Sequence, residues 1–75
     1  MTLYPNPTKG NVTIIAKGQL LERVQVMDIC GRVVQQHSFN NQQTVGIDLS
    51  QIASAVYLLN VQTENGGVTK RIIKE

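Results

Sequence analysis

The sequence predicts an all-β domain, an antiparallel sandwich or small barrel of six or seven short strands. Three observations carry that prediction. Sixteen Val and Ile residues stand against six Leu and three Ala, and branched side chains, which lose χ1 freedom on a helix, fit a pleated surface better. Apolar and polar residues alternate with period two over several stretches, as in strands with one buried face. Turn-forming clusters recur at roughly 8–12-residue spacing, and no helical pattern exceeds one turn.

Each element follows in chain order. Tyr4-Pro5-Asn6-Pro7-Thr8-Lys9-Gly10 gathers both prolines and a glycine. Proline fixes φ and removes a backbone donor, so this is an extended segment leading into a turn, at most a short edge strand. Asn11 to Ala16 reads as a strand with Val12 and Ile14 on one face, leaving Ile15 opposite, to be covered by the termini or left partly exposed. After a turn at Lys17-Gly18-Gln19, Leu21 to Asp28 alternates Glu22, Val24, Val26 and Asp28 with Arg23, Gln25 and Met27. That phase puts Val24 and Val26 inward.

Asp28-Ile29-Cys30-Gly31 is a turn whose glycine supplies positive φ, and Arg32 to Phe39 is the return strand. Asn40 to Gln43 reads as a polar loop. Thr44 to Leu49 alternates strictly, with Val45, Ile47 and Leu49 buried. Ser50 to Ser54 is too short for a stable helix, although Asp48 or Ser50 could cap a single turn. Val56 to Thr63 is the most apolar strand and is expected to be central, with Tyr57, Leu59 and Val61 on one side. Glu64-Asn65-Gly66-Gly67 holds Asn-Gly, the strongest short hairpin signal. Val68 to Lys74 then closes the domain as a terminal strand.

Size and charge bound the function. Seventy-five residues make one domain, and a chain this short buries about 60–65% of the surface its unfolded form exposes. Val, Ile, Leu and Phe together make 23 of the 75 residues, well above the roughly 20% below which chains are usually disordered. Seven basic and five acidic residues leave a net charge of +2, too little to imply nucleic acid. The longest apolar run, Ala55 to Leu59, has five residues, whereas a membrane-spanning helix needs about 20. The first residues carry neither a basic nor an apolar region, so no signal peptide is expected within them. Cys30 is alone, so the fold depends on packing rather than an internal disulfide.

Catalytic chemistry finds little to work with. Cys30 and His37 are the single members of their kinds, and seven extended residues would hold them about 20 Å apart. One His and one Cys cannot complete a tetrahedral metal site. Asp28 and Asp48 occupy turn positions, where a carboxylate accepts local backbone N–H groups. No glycine-rich phosphate loop is present. The expectation is therefore no enzyme, no metal and no cofactor. Lys70, Arg71 and Lys74 concentrate three cations in the last six residues, which fits either a charge-protected edge strand or a docking face. Tyr57 reads as a core aromatic with its hydroxyl satisfied at the rim.

The order of these blocks is familiar. Tyr4-Pro5-Asn6-Pro7 is followed by Asn11-Val12-Thr13-Ile14, by Val24 to Val34 with Asp28, Gly31 and Arg32, and by Ile47-Asp48-Leu49-Ser50. Ala55-Val56-Tyr57 to Val61 and then Thr69 to Glu75 complete the series. The succession, over residues 3–75, closely resembles the type A C-terminal sorting domain of the type IX (Por) secretion system of Gram-negative bacteria. The resemblance implies a seven-stranded immunoglobulin-like sandwich at the C-terminus of a larger exported protein. It implies folding in the periplasm and recognition by the outer-membrane translocon and its shuttle protein. It also implies removal by a sortase-like peptidase, with the cargo ending on the cell surface or secreted.

Carried onto this chain, the family's Asp-x-x-Gly-Arg turn falls on Asp28, Gly31 and Arg32, and its basic terminal block on Lys70 and Lys74. Its Gly-x-Tyr block falls on Ala55, Val56 and Tyr57, with alanine where the family typically has glycine. If that position needs positive φ, alanine there costs energy. Gly31, Arg32, Tyr57, Lys70 and Lys74 are thus the candidate partner-recognition residues, and the face of Lys70–Glu75 beside Tyr57 is the expected docking face, by strand addition or charge complementarity. Deleting residues 70–75 is expected to trap cargo in the periplasm. The linker and cleavage site are expected to precede this segment. The competing expectations are an accessory sandwich module for carbohydrate binding or adhesion, which would need exposed aromatics, and a structural spacer resembling a fibronectin domain.

Overall fold

The computed structural model describes residues 1–75. Seven strands form two antiparallel sheets: β1 (Thr2–Tyr4), β2 (Asn11–Ile15), β3 (Leu21–Met27), β4 (Val33–Gln42), β5 (Thr44–Asp48), β6 (Ala55–Thr63) and β7 (Gly66–Lys74). One sheet has the order β1-β2-β5 and the other β4-β3-β6-β7. This is an immunoglobulin-like sandwich in which β4 remains beside its hairpin partner β3.

The alternating pattern builds the core as expected. Val12 and Ile14 of β2 and Val45 and Ile47 of β5, with Ala16 and Leu49 just beyond, face Leu21, Val24 and Val26 of β3. Tyr57, Leu59 and Val61 of β6 and Ile72 of β7 complete the cluster, with Leu3, Phe39 and Ile52 packed at its border. β6 is interior to its sheet, as its apolar sequence predicts.

Two local readings are corrected. Strict alternation would turn Glu22 inward and Leu21 out, but Leu21 is fully buried and Glu22 exposed. The register explains it: Leu21 pairs with Thr63 and Arg23 with Gln62, so Glu22 is an extra residue against β6. A bulge of this kind resets the phase of the pleat. Asn40–Gln43, read as a polar loop, is mostly strand, for β4 runs to Gln42 and β5 starts at Thr44. Polar side chains do not weaken a ladder whose outer edge faces water, and β4 is an edge strand.

The β6–β7 hairpin forms where Asn-Gly announced it, with the turn centred one residue earlier. Thr63 pairs with Gly66 around Glu64 and Asn65. Gly66 alone carries the positive φ, 119°, and neither loop residue does, so this is not the type I′ turn for which Asn-Gly is best known.

The proline-rich segment does more than turn. After β1 it crosses to the other sheet and lies along β7, where Thr8 forms a parallel bridge with Lys74. Thr8 N–H donates to the Ile73 carbonyl at 2.8 Å, and Glu75 N–H donates to the Thr8 carbonyl at 2.8 Å. Between the two prolines, the Asn6 carboxamide substitutes for a peptide group. Its Nδ2 donates to the Arg71 carbonyl at 3.1 Å, and its Oδ1 accepts from Ile73 N–H at 3.0 Å. The Thr8 side chain, 2% exposed, is fully satisfied: its hydroxyl donates to the Asn11 carbonyl at 2.7 Å and accepts from Gly10 N–H at 3.1 Å.

Candidate functional site

The β3–β4 turn is built around one carboxylate. Asp28 Oδ1 accepts from Cys30 N–H and Arg32 N–H, both at 2.9 Å, and Oδ2 accepts from Arg32 Nε at 2.8 Å. The backbone closes the loop: Gly31 N–H donates to the Asp28 carbonyl at 3.0 Å and Asp28 N–H to the Arg32 carbonyl at 2.9 Å. Gly31 sits at φ 89°, a region that L side chains enter at a cost. The Arg32 N–H holds the Asp28 carboxyl below the usual carboxylate range, helped by the Arg32 side chain and Cys30 N–H. Arg32 and Asp28 form the single ion pair of the molecule, yet the arginine side chain is 82% exposed. The turn therefore fixes the base of Arg32 and leaves the rest of its guanidinium available.

Asp48 behaves as its turn position predicts. Its Oδ1 accepts from Ser50 N–H at 2.8 Å, and the Ser50 side chain and N–H together lower its pKa. Tyr57 is 6% exposed, its ring belongs to the core, and its hydroxyl donates to the Ala53 carbonyl at 2.6 Å. A tyrosine at the start of a strand bonded to a carbonyl just upstream is the tyrosine corner of immunoglobulin-like folds. Ala55 has no positive φ, so alanine carries no backbone strain in place of the glycine expected there. His37 has its own local partner, with Nε2 2.9 Å from Gln35 Oε1.

The terminal cations do not form one patch. Register places Lys70, Ile72 and Lys74 opposite Leu59, Tyr57 and Ala55, whereas Arg71 lies opposite Leu58. Ile72 is buried in the core, so period-two alternation puts Lys70 and Lys74 on the inward side of this edge strand and Arg71 on the outer face. Inward-pointing lysines are a recognised means of protecting a sheet edge. The strand-addition surface expected of β7 is also partly occupied, because Asn6 and Thr8 pair along Arg71–Glu75.

On the outer face of the four-stranded sheet lies a groove of about 600 Å³ lined mainly by apolar side chains. Ile29, Val34, Val56 and Leu58 line it, with Arg32 and Arg71 among its polar members. Of the predicted residues, Arg32 and Tyr57 belong to this groove, and Gly31 shapes the adjoining turn. Lys70 and Lys74 do not line it. Arg71 and the apolar floor escaped the sequence reading, which counted Arg71 only as part of a cationic tail. The signal was available in β6, where Val56 and Leu58 make the strand apolar on its second face as well.

No group of three His, Cys, Asp or Glu side chains converges to hold a metal ion. Tyr4 is the one exposed aromatic; Tyr57 is buried and Phe39 packs against the core, so no row of rings is presented for stacking on a sugar. No helix is long and apolar enough to cross a membrane. The family model described as the secretion system C-terminal sorting domain matches residues 2–75. The chain belongs to this family. It is a type IX C-terminal sorting signal, and the match covers all seven strands. A sorting domain of this type is a secretion signal rather than a catalyst. It directs export to the outer-membrane surface or the extracellular space and interacts with the secretion machinery. Among curated proteins no match is found.

Proposed function

We propose that residues 1–75 act as a single sorting domain, carried at the C-terminus of a larger exported protein and read as a folded object. It folds in the periplasm, is recognised by the outer-membrane translocon and its shuttle protein, and is then removed by a sortase-like peptidase. The supporting observation is that the family match runs through the whole sandwich, whose 13-residue core closes without a disulfide. Such a scaffold can fold on any cargo. Gly31 and Tyr57 serve recognition by holding the turn and the β6 entry in shape, while Arg32, Lys70 and Lys74 present charge to the machinery.

Deleting residues 70–75 is a poor test, because it removes Ile72 from the core and confuses lost docking with lost folding. A better one fuses the chain to the C-terminus of a periplasm-targeted reporter in a bacterium with type IX secretion. A 75-residue domain has about 4–11 kcal/mol of stability in all, and Leu59→Ala in the core removes about 2–5 kcal/mol. The wild-type fusion should reach the surface or medium, and Leu59→Ala should remain in the periplasm. Lys70→Glu with Lys74→Glu should keep the fold, checked by circular dichroism, and lower export. Export of a demonstrably unfolded Leu59→Ala fusion at the wild-type level would show that a linear signal is read instead.

A further inference from the structure

We propose that the outer-face groove between Arg32 and Arg71 binds an extended, apolar peptide segment of the partner that carries carboxylates, a reading that rests on the sorting function proposed above. The groove combines an apolar floor, a volume that suits a ligand and positive charge without a carboxylate partner. Its floor is apolar and open: Ile29 is 75% exposed, and Val34 and Val56 are also exposed. Large side chains left uncovered as a contiguous patch mark interaction sites more often than scattered ones do. Its volume of about 600 Å³ falls within the roughly 300–1,000 Å³ typical of ligand-binding clefts.

The charge decides the occupant. Asp28 is the acidic member of the lining, and its carboxylate is already committed to Cys30, Arg32 and the turn. Arg71 has no carboxylate partner, and Arg32 spends only its Nε on Asp28. The groove thus keeps a positive surplus beside an apolar floor. Guanidinium groups bind carboxylates in a planar, often bidentate manner. A second copy of this chain would bring the same two arginines against themselves. An extended peptide that alternates apolar and acidic residues supplies side chains for the floor and carboxylates for the rim.

The test has a binding arm and an export arm. The ¹⁵N-labelled chain is titrated with a capped seven-residue peptide of alternating leucine and aspartate, and with the same peptide carrying lysine for aspartate. The aspartate peptide should shift the amides of Val34, Val56, Leu58 and Arg71, and added salt should weaken it. Arg71→Glu should weaken binding about tenfold, one charge-assisted contact's worth, and the lysine peptide should leave the amides unmoved. Equal response to both peptides, response to neither, or concentration-dependent shifts of the free chain that reveal self-association would overturn the proposal. In the export arm, Arg71→Glu and Val56→Ser should lower secretion of the reporter fusion. If the wild-type fusion is not exported, the sorting reading fails. If it is exported and both variants match it, the groove proposal fails alone.

Discussion

Gly31 and Asp28 show how much of a surface feature can rest on two residues. A Cβ added at Gly31 would meet nothing within 4 Å, so Gly31→Ala is sterically free and conformationally costly. Its φ of 89° predicts a loss of about 1–2 kcal/mol, readable as a lower urea midpoint with an unchanged slope. Asp28 makes the turn sensitive to acid. Its folded pKa is depressed, chiefly by Arg32 N–H, so its contribution is complete above the ordinary carboxylate pKa of about 3.9 and is lost as pH falls through the lower folded value. Asp28→Asn keeps the acceptor oxygen without the charge. Its urea midpoint should lie below the wild type at pH 6, and the gap should close by pH 2. A gap that stayed constant would mean that the carboxylate charge is not what stabilises the turn.

At the scale of elements, the strands that were legible are those whose burial is decided by period two. β2, β5 and the inner face of β6 follow the alternation residue by residue. The misreadings fell where tertiary register overrides local pattern. The bulge at Glu22 turns Leu21 inward, and nothing in the local sequence announces a bulge. The Asn40–Gln42 stretch pairs because β3 offers it a neighbour, with Leu21 opposite Gln42; its polarity reports exposure and not loop. Of the candidate site, the Asp28–Arg32 turn and Tyr57 were legible because each satisfies its own polar groups locally. Arg71 was not. Whether three clustered cations share a face depends on strand phase, and Ile72 sets that phase only once the core is known.

The same scale shows how each sheet edge is guarded. Each sheet has two edges, and unpaired edges invite association. β1 has three residues and leads into proline, β5 has five, and β4 is interrupted by register shifts against β3. β7 has inward lysines and the Asn6–Thr8 segment. Asn6→Ala tests that last device. Loss of its two exposed hydrogen bonds should cost about 1 kcal/mol and should speed amide exchange at Ile73 well beyond that at Val61. Unchanged exchange at Ile73 would mean that the carboxamide does not hold the strand in solution.

As a whole molecule, the domain is a small core with a specialised exterior. Thirteen buried apolar residues make a core that closes without an internal disulfide. The cationic residues separate into two populations. Lys70 and Lys74 guard an edge, while Arg32 and Arg71 frame an apolar groove on the opposite side of the sheet. Charge near the end of the sequence is therefore not one signal, and substituting the lysines and the arginines separately will show which population the machinery reads.

The hem formed by Asn6 and Thr8 joins positions 65 to 67 residues apart in sequence. A protease nick between Asn6 and Thr8 would part the two contacts, leaving Asn6 with β1 and Thr8 with β2, and would loosen the flank of β7.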